Sequence, residues 1–283
     1  MKFFEQAVAL DPDFALALAM LSEAHRSLYF MGYDHTEERL VSAWAAIERA
    51  AELEPDLADV RVVLGHYYYQ ADLDYTRALA EFSKAAEDLP NDPELLRSIA
   101  YIWRRQGLFE ESLEYLARAA ALTPKITDVA VEYSYTLCVV GEYDKGLDML
   151  ERSIAIDPDQ EWPYLLKALL YWTRGREGDL ALARESLTQF PDPRSFYPAW
   201  FWIRQGWLEG NFQESLDRIA NLTKPILALQ STFFPNELLA GLTYHFMGDS
   251  ERARPALEAA VEILLREVEA APEDPRFQSF VAN

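Results

Sequence analysis

The residue types that could bind a metal or catalyse a reaction are few in this chain. The densest group is the segment Asp34-His35-Thr36-Glu37-Glu38, which combines histidine with carboxylates, and these are residue types that bind zinc and similar ions. A simpler interpretation is a helix start, because Asp34 or Thr36 can cap a helix and acidic side chains stabilise its N-terminus. We favour the helix start and predict no metal site and no cofactor.

No catalytic sequence motif joins the remaining candidates. The chain has no phosphate-binding loop, no His-Glu-x-x-His pair, no nucleophile elbow and no Cys-x-x-Cys, and its four histidines, His25, His35, His66 and His245, are dispersed. The single cysteine, Cys138, fits a small apolar packing residue, because nothing near it in sequence would lower the pKa of its thiol. We therefore predict that the chain is not an enzyme.

Composition excludes several classes of protein. Half of the 283 residues are apolar and 13% are aromatic, which is too apolar for a disordered chain, and no apolar run approaches the length of a membrane span. With 26 Lys and Arg against 47 Asp and Glu, the formal charge of −21 repels phosphate. We expect neither nucleic acid nor membrane as a partner, and, with no export signal at the start, a cytoplasmic location.

Helical segments separated by regular stops account for nearly the whole sequence. Apolar residues recur three and four positions apart in windows such as ALEAAVEILLREVEA, which is typical of amphipathic helices. Helix-ending prolines recur at intervals of 43, 35, 34 and 34 residues, at Pro12, Pro55, Pro90, Pro124 and Pro158. Glycines that can end a helix in the left-handed conformation lie between these stops, at Gly107, Gly141, Gly210 and Gly248. Each period therefore contains two helices.

Small residues occupy one fixed position in most of the predicted helices, although the sixth repeat has Ile203 at this position in its first helix. They lie at Ser22, Gly65, Ala100, Ser134, Ala168 and Gly241 in the first helices, and at Ala43, Ala78, Ser112, Gly146, Ala183, Ser215 and Ala253 in the second helices. Small side chains let two helix axes approach closely, and larger neighbours fill the flanking grooves. The pattern predicts antiparallel helix hairpins with an apolar core between their helices.

This repeat resembles the tetratricopeptide repeat (TPR) family, whose 34-residue unit has the pattern Trp-x2-Leu-Gly-x2-Tyr, then Ala-x3-Phe, then Pro. A close match is Leu64-Gly65-x2-Tyr68 with Ala78-x3-Phe82 and Pro90. The resemblance implies an all-α fold, a right-handed superhelical α-solenoid of about seven hairpins over residues 1–283. We expect regular repeats over 58–158, degenerate ones over 159–283 with extra residues in LTKPILALQSTFFPNE, and both ends cut within a repeat.

In TPR arrays the first helices line a concave surface, so the resemblance places a binding groove there. On helical spacing, several first-helix residues that point away from the hairpin core are of types that often dominate interfaces. They are His66, Tyr69, Arg97, Tyr101, Arg104, Arg105, Tyr135, Trp172, Trp200, Phe201, Arg204 and Trp207. We predict that this groove binds a protein or peptide that carries acidic and apolar groups.

Two parts of this surface have alternative interpretations. Arg97, Arg104 and Arg105 form a patch that could hold a carboxylate of a partner. They could equally pair with the many acidic residues of the chain itself. The aromatic residues around Trp200 could line the groove or fill the core of a repeat that lacks small residues, and Trp202 is the first choice for core.

The sequence thus predicts a protein-interaction scaffold, with two alternatives. The turn Gln70-Ala-Asp-Leu-Asp-Tyr75 and the ending GDSERARPALEAAVEILLREVEAAPEDPR are similar to the C-terminal TPR arrays of bacterial cyclases, kinases and transcription regulators, which implies a regulatory arm. The second alternative is self-assembly, in which exposed apolar faces at the array ends form a homodimer.

Overall fold

The computed structural model describes residues 1–123, 127–189, 196–223, 226–229 and 232–270. Pro124 and residues 271–283, on which part of the repeat prediction rests, lie outside the described residues. Over the described part the backbone forms fifteen helices and two short strands. The helices are α1 Lys2–Leu10, α2 Ala15–Phe30, α3 Glu37–Leu53, α4 Ala58–Gln70, α5 Tyr75–Asp88, α6 Pro93–Arg105, α7 Phe109–Leu122, α8 Thr127–Val139, α9 Tyr143–Ile156, α10 Glu161–Arg174, α11 Asp179–Thr188, α12 Phe196–Glu209, α13 Phe212–Ala220, α14 Asn236–Phe246 and α15 Ser250–Ala270.

Helices that follow one another along the chain pack as hairpins. The packed pairs are α2 with α3, α4 with α5, α6 with α7, α10 with α11, α12 with α13, and α14 with α15. First helices also contact the first helix of the next hairpin, as α2 does with α4, α4 with α6, and α10 with α12. This arrangement confirms the prediction of an array of helix hairpins.

The chain divides into two compact units, Met1–Thr136 and Leu137–Asn283, with the boundary inside α8. Each unit has its own apolar core. Phe82 and Ile47 are fully buried in unit 1, and Leu165 and Ile203 are fully buried in unit 2.

The small residues lie where two helices of a hairpin meet. A side chain at Gly65 would place its Cβ 2.5 Å from the ring of Phe82 on the paired helix. The Phe82 ring therefore leaves room only for glycine at position 65. In two repeats the second helix also bonds to the first through serine: Ser112 Oγ donates to the carbonyl oxygen of Ala100 at 2.9 Å, and Ser215 Oγ to that of Ile203 at 3.0 Å. The same contact in both units confirms the predicted alignment of these repeats.

The predicted helix stops have the conformation that the pattern requires. Gly107 and Gly141 adopt φ values of 78° and 83°, in the left-handed region that glycine enters without steric cost. At the other end of a helix, Asp92 accepts a hydrogen bond from the backbone N–H of Leu95 at 2.7 Å and caps α6, with Pro93 following it.

The segment after α13 adds a short sheet to the helical fold. Strand β1, Ile226–Leu229, pairs antiparallel with β2, Thr232–Pro235. Here the sequence predicted only extra residues between helices. Phe233 of β2 is buried, and Phe234 packs against the apolar core that α12, α13 and α14 form. Burial of these aromatic side chains therefore holds β2 against the helices.

Candidate functional site

Three first helices of unit 1 place a glutamate, a histidine and a serine in line. His66 Nε2 on α4 lies 2.8 Å from Ser98 Oγ on α6, and His66 Nδ1 lies 3.6 Å from Glu23 Oε2 on α2. Burial opposes ionisation of Glu23, but the neighbouring His66 and the hydrogen bonds from Arg26 outweigh it and lower the pKa of this carboxyl to about 2. Glu23 is therefore ionised at neutral pH and balances the buried Arg26, which donates to it from Nε at 2.9 Å.

The order serine, histidine, glutamate is that of an acyl-transfer triad, but the surroundings of Ser98 do not suit that chemistry. Ser98 is buried in the interior of α6 and donates to the carbonyl oxygen of Glu94 at 2.8 Å. Backbone N–H groups in a helix interior are bonded within the helix, so they cannot stabilise an oxyanion. The 3.6 Å between His66 and Glu23 is also too long for a hydrogen bond. The geometry fits a link between three helices, and the sequence missed it because the three residues lie far apart in the chain.

The predicted arginine patch lies on α6 and is largely neutralised by the chain itself. Arg97 pairs with Glu94, one turn earlier on α6. Arg104 Nη1 donates to Glu132 Oε2 on α8 at 2.8 Å. Arg105 is exposed, and the nearby Tyr69 raises the pKa of its guanidinium. For Arg97 and Arg104 the structure therefore favours pairing with the acidic residues of the chain.

Aromatic rings hold these arginines in place. The guanidinium carbon of Arg104 lies 5.2 Å from the ring centre of Tyr101 and 5.0 Å from that of Tyr135. Burial and the neighbouring Glu132 raise the pKa of Tyr101 far above its usual value. Tyr135 is exposed, whereas Tyr69 has only 8% of its surface exposed and packs in the apolar core with Phe82. An incoming partner at this face would compete with existing contacts.

The tryptophans of unit 2 are fixed by hydrogen bonds of their ring nitrogens. Trp172 Nε1 on α10 donates to Gln205 Oε1 on α12 at 2.6 Å, and Trp207 Nε1 donates to Thr243 Oγ1 on α14 at 2.8 Å. Gln205 is fully buried, and its Nε2 donates to the carbonyl oxygen of Leu180 at 2.9 Å. Both rings thus have a defined orientation before any partner binds.

Ring stacking divides the aromatic residues between surface and core. Trp172 stacks on Phe201 with ring centres 5.2 Å apart, and Trp200 stacks on Phe234 of β2 at 4.9 Å. Phe201 is only 8% exposed, and Trp202 is buried, as predicted for a core residue. Trp172, Trp200 and Trp207 remain partly exposed. We call these three residues, with Arg204, the tryptophan surface, whereas Phe201, which the sequence predicted for the groove, is buried.

Arg204 lies on this surface with its guanidinium carbon 5.0 Å from the ring centre of Trp172. Burial lowers the pKa of its guanidinium. Among the residues that the structure describes, no carboxylate lies within ion-pair distance of it. The contact that the described residues give its guanidinium is the one with the Trp172 ring.

The metal interpretation of the Asp34 segment finds no support in the geometry. Asp34 accepts hydrogen bonds from Arg39 Nε at 2.8 Å and from Thr36 Oγ1 at 2.9 Å, and His35 stacks on Tyr29. Thr36 occupies the residue before α3, as the helix-start interpretation predicts, but the predicted side-chain cap is wrong: Thr36 makes no capping hydrogen bond and donates to Asp34 instead. Over the described ranges, no group of three or more His, Cys, Asp or Glu is arranged to hold a metal ion. No helix in the same ranges is long and apolar enough to cross a bilayer.

Comparisons with known proteins agree with the repeat pattern. The tetratricopeptide repeat family model matches residues 238–263, in α14 and α15. The chain is 25% identical over 191 residues to anaphase-promoting complex subunit 3 of Schizosaccharomyces pombe. The match covers 64% of this chain and 26% of that protein, so the chain spans about a quarter of the length of this curated relative.

Solved structures of other proteins have the same fold. A tetratricopeptide repeat protein from Parabacteroides merdae superposes with a TM-score of 0.62 at 15% identity, over 87% of this chain and 92% of that one. A chain of the APC/C hetero-tetramer Cut9–Hcn1 superposes with a TM-score of 0.55 at 17% identity, over 72% of this chain and 38% of that one. At these identities the likeness shows the fold, and it confirms the predicted fold of stacked helix hairpins.

Proposed function

We propose that this tetratricopeptide-repeat chain is a protein-interaction scaffold that binds a peptide or partner protein on the first-helix face of unit 2. The observation that carries the proposal is the tryptophan surface, where Trp172, Trp200 and Trp207 are ordered yet partly exposed. Tryptophan is enriched among the residues that dominate binding energy. Rings that are fixed beforehand lose little conformational freedom on binding, which favours affinity.

Unit 1 contributes less to this proposal. Arg97 and Arg104 already bind carboxylates, and Tyr69 is buried. Of the residues predicted for this half of the groove, Arg105 and Tyr135 are the exposed ones. We assign the chain no reaction of its own, since the Ser98–His66–Glu23 link lacks donors for an oxyanion.

Selection of peptides from a random 12-residue phage-display library on the full chain tests the proposal. We expect wild type to enrich a family of related sequences and Trp172→Ala to lose that enrichment. Trp162→Ala is the matched control, because Trp162 is an exposed tryptophan on the same helix α10. Equal enrichment by wild type and Trp172→Ala, or none by wild type, would refute the proposal.

Self-assembly is the second candidate, and exposed apolar residues favour it. On α1 of unit 1, the apolar side chains of Phe3 and Leu10 are 82% and 89% exposed. Two copies could cover these side chains in a symmetric dimer. Light scattering across a concentration series tests this: we expect the mass to double in wild type and not in Phe3→Ser/Leu10→Ser. A constant monomer mass rules the dimer out.

The regulatory-arm alternative would use the same surfaces within a bacterial signalling protein. It rests on sequence resemblance, and it makes the same prediction for the tryptophan surface. The peptide selection therefore tests the binding surface under either hypothesis.

A further inference from the structure

We infer that Arg204 binds the carboxylate of an Asp or Glu side chain of a partner peptide, while the exposed edge of Trp172 packs against an adjacent apolar residue. This inference deepens the proposed function and rests on it. The chemistry is a forked guanidinium–carboxylate contact, in which two N–H groups of Arg204 donate to the two oxygens of the carboxylate.

The first argument is the contrast between Arg204 and the other arginines of unit 2. Arg174 donates to Asp179 from Nε at 3.0 Å and from Nη2 at 2.6 Å. Arg184 binds Glu209 and Glu214, and Arg218 also binds Glu214. Within the described part of the unit, Arg204 is the partly buried arginine that has no carboxylate.

The second argument is what surrounds Arg204. Its guanidinium lies over the Trp172 ring, and the ring of Phe201 also stacks on Trp172. Arg204 is only partly buried and makes no hydrogen bond with the described residues, and none of its nitrogens is among their buried polar atoms that lack a partner, so these nitrogens are reachable from solvent. Partial loss of hydration makes a carboxylate bond stronger here than at an exposed arginine, since the lower local dielectric strengthens the charge interaction. The burial that lowers the pKa of Arg204 reports the same loss of hydration.

The third argument is charge, which selects the kind of partner. A chain with a net charge of −21 repels polyanions, and phosphate backbones are bound by several cations acting together. Arg204 offers one accessible cation, which matches a single carboxylate on a partner that is otherwise neutral or basic. A peptide side chain meets this requirement, whereas RNA or an anionic membrane does not.

Titration of the full chain with the most enriched peptide of the selection tests the inference. We expect this peptide to contain an acidic residue next to an apolar one. Arg204→Met should raise the Kd for this peptide, measured by fluorescence polarisation, by about tenfold or more. The Kd of Arg204→Lys should lie between those of wild type and Arg204→Met, because lysine keeps the charge but cannot make the forked contact. Arg254→Met is the matched control and should bind as wild type, since Arg254 is an exposed arginine on α15.

A second peptide, in which the acidic residue is replaced by its amide, tests whether that residue is the one that Arg204 binds. Changing the acidic residue of the peptide to its amide should weaken binding to wild type by about tenfold and leave binding to Arg204→Met unchanged. If amidating the peptide C-terminus has that effect instead, the anion is a terminal carboxylate and the assignment to a side chain is wrong. Enriched peptides without an acidic residue, or with equal affinity for wild type and Arg204→Met, would overturn the inference and leave the proposed function standing. No enrichment by wild type would refute both.

Thermal unfolding gives an independent readout. Arg204→Met should unfold at the same temperature as wild type or higher, because no described ion pair is lost and a partly dehydrated charge is removed. A fall in Tm of more than about 3 °C would mark Arg204 as a structural residue and contradict the inference. Dimerisation of wild type that Arg204→Met abolishes would identify a second copy as the occupant, and the partner peptide would then be wrong.

Discussion

Replacing Glu23 with glutamine should destabilise unit 1 in a way that depends on pH. Glu23 accepts a hydrogen bond from Arg26 Nε at 2.9 Å and faces His66 at 3.6 Å. Arg26 is buried, so its charge needs this carboxylate. A glutamine amide has nearly the same shape but no charge, and Glu23→Gln therefore removes the interaction with little change in packing.

The size of the effect follows from the pKa. Lowering the pKa of Glu23 from an ordinary 4.5 to about 2 corresponds to about 3 kcal/mol of folding free energy. The native state binds fewer protons than the unfolded state between these values, so stability rises with pH there. The contribution is complete above about pH 5 and is lost as the pH falls towards 2.

Urea unfolding followed by far-UV circular dichroism measures this contribution, and hydrogen exchange of α2 and α4 localises it. We expect wild type to exceed Glu23→Gln by about 3 kcal/mol at pH 7, with the difference shrinking below pH 4 and small near pH 2. Glu52→Gln is the control, because Glu52 makes an exposed pair with Arg49 and should change stability by less than about 1 kcal/mol at every pH. A difference that is the same at pH 3 and pH 7 would refute the reasoning.

Three further substitutions test the packing, each by chemical denaturation. Asp179→Asn should cost about 3 kcal/mol, because it removes the buried carboxylate of Arg174, and a loss under 1 kcal/mol would show that Asp144, which Arg174 also binds at 2.6 Å, balances this charge by itself. Gly65→Ala should cost about 1 to 3 kcal/mol through the 2.5 Å approach of its Cβ to Phe82, and Phe82→Leu in the same chain should recover part of it. Leu73→Gly should stabilise by up to about 1 kcal/mol, because Leu73 has a φ of 54°, and a loss of stability would mean that its side chain matters more than its backbone.

The helix hairpins could be predicted from the sequence because their determinants are local. Helical periodicity, glycine stops and a small residue at a fixed position each act within one hairpin, and the contact of Ser112 with Ala100 recurs as that of Ser215 with Ile203. The strand pair β1 and β2 could not be predicted in this way. It occurs once, so no repeat reports it, and β2 is held by Phe234 stacking on Trp200 of α12, more than thirty residues earlier.

Which arginine is free to bind a partner could not be predicted, because ion pairing is decided between helices. Glu209 lies on the same helix as Arg204, yet it binds Arg184 of α11, with 2.9 Å from Arg184 Nε to Glu209 Oε1. Arg104 reaches Glu132, which is 28 residues away in sequence but adjacent in the fold. The sequence placed all these charges on suitable helices and left their pairing open.

The two units therefore differ in the binding free energy that a carboxylate of a partner can gain. In unit 1 a carboxylate that approached Arg104 would have to displace Glu132, and most of the gain would repay the lost internal pair. In unit 2 a carboxylate that approached Arg204 displaces only water, and Trp172 is already held by Gln205. Binding at Arg204 thus keeps nearly all of its favourable free energy, whereas binding at Arg104 keeps only a difference between two similar contacts. This asymmetry is the reason for assigning the partner site to unit 2, although three of the four arginines predicted for the groove lie in unit 1.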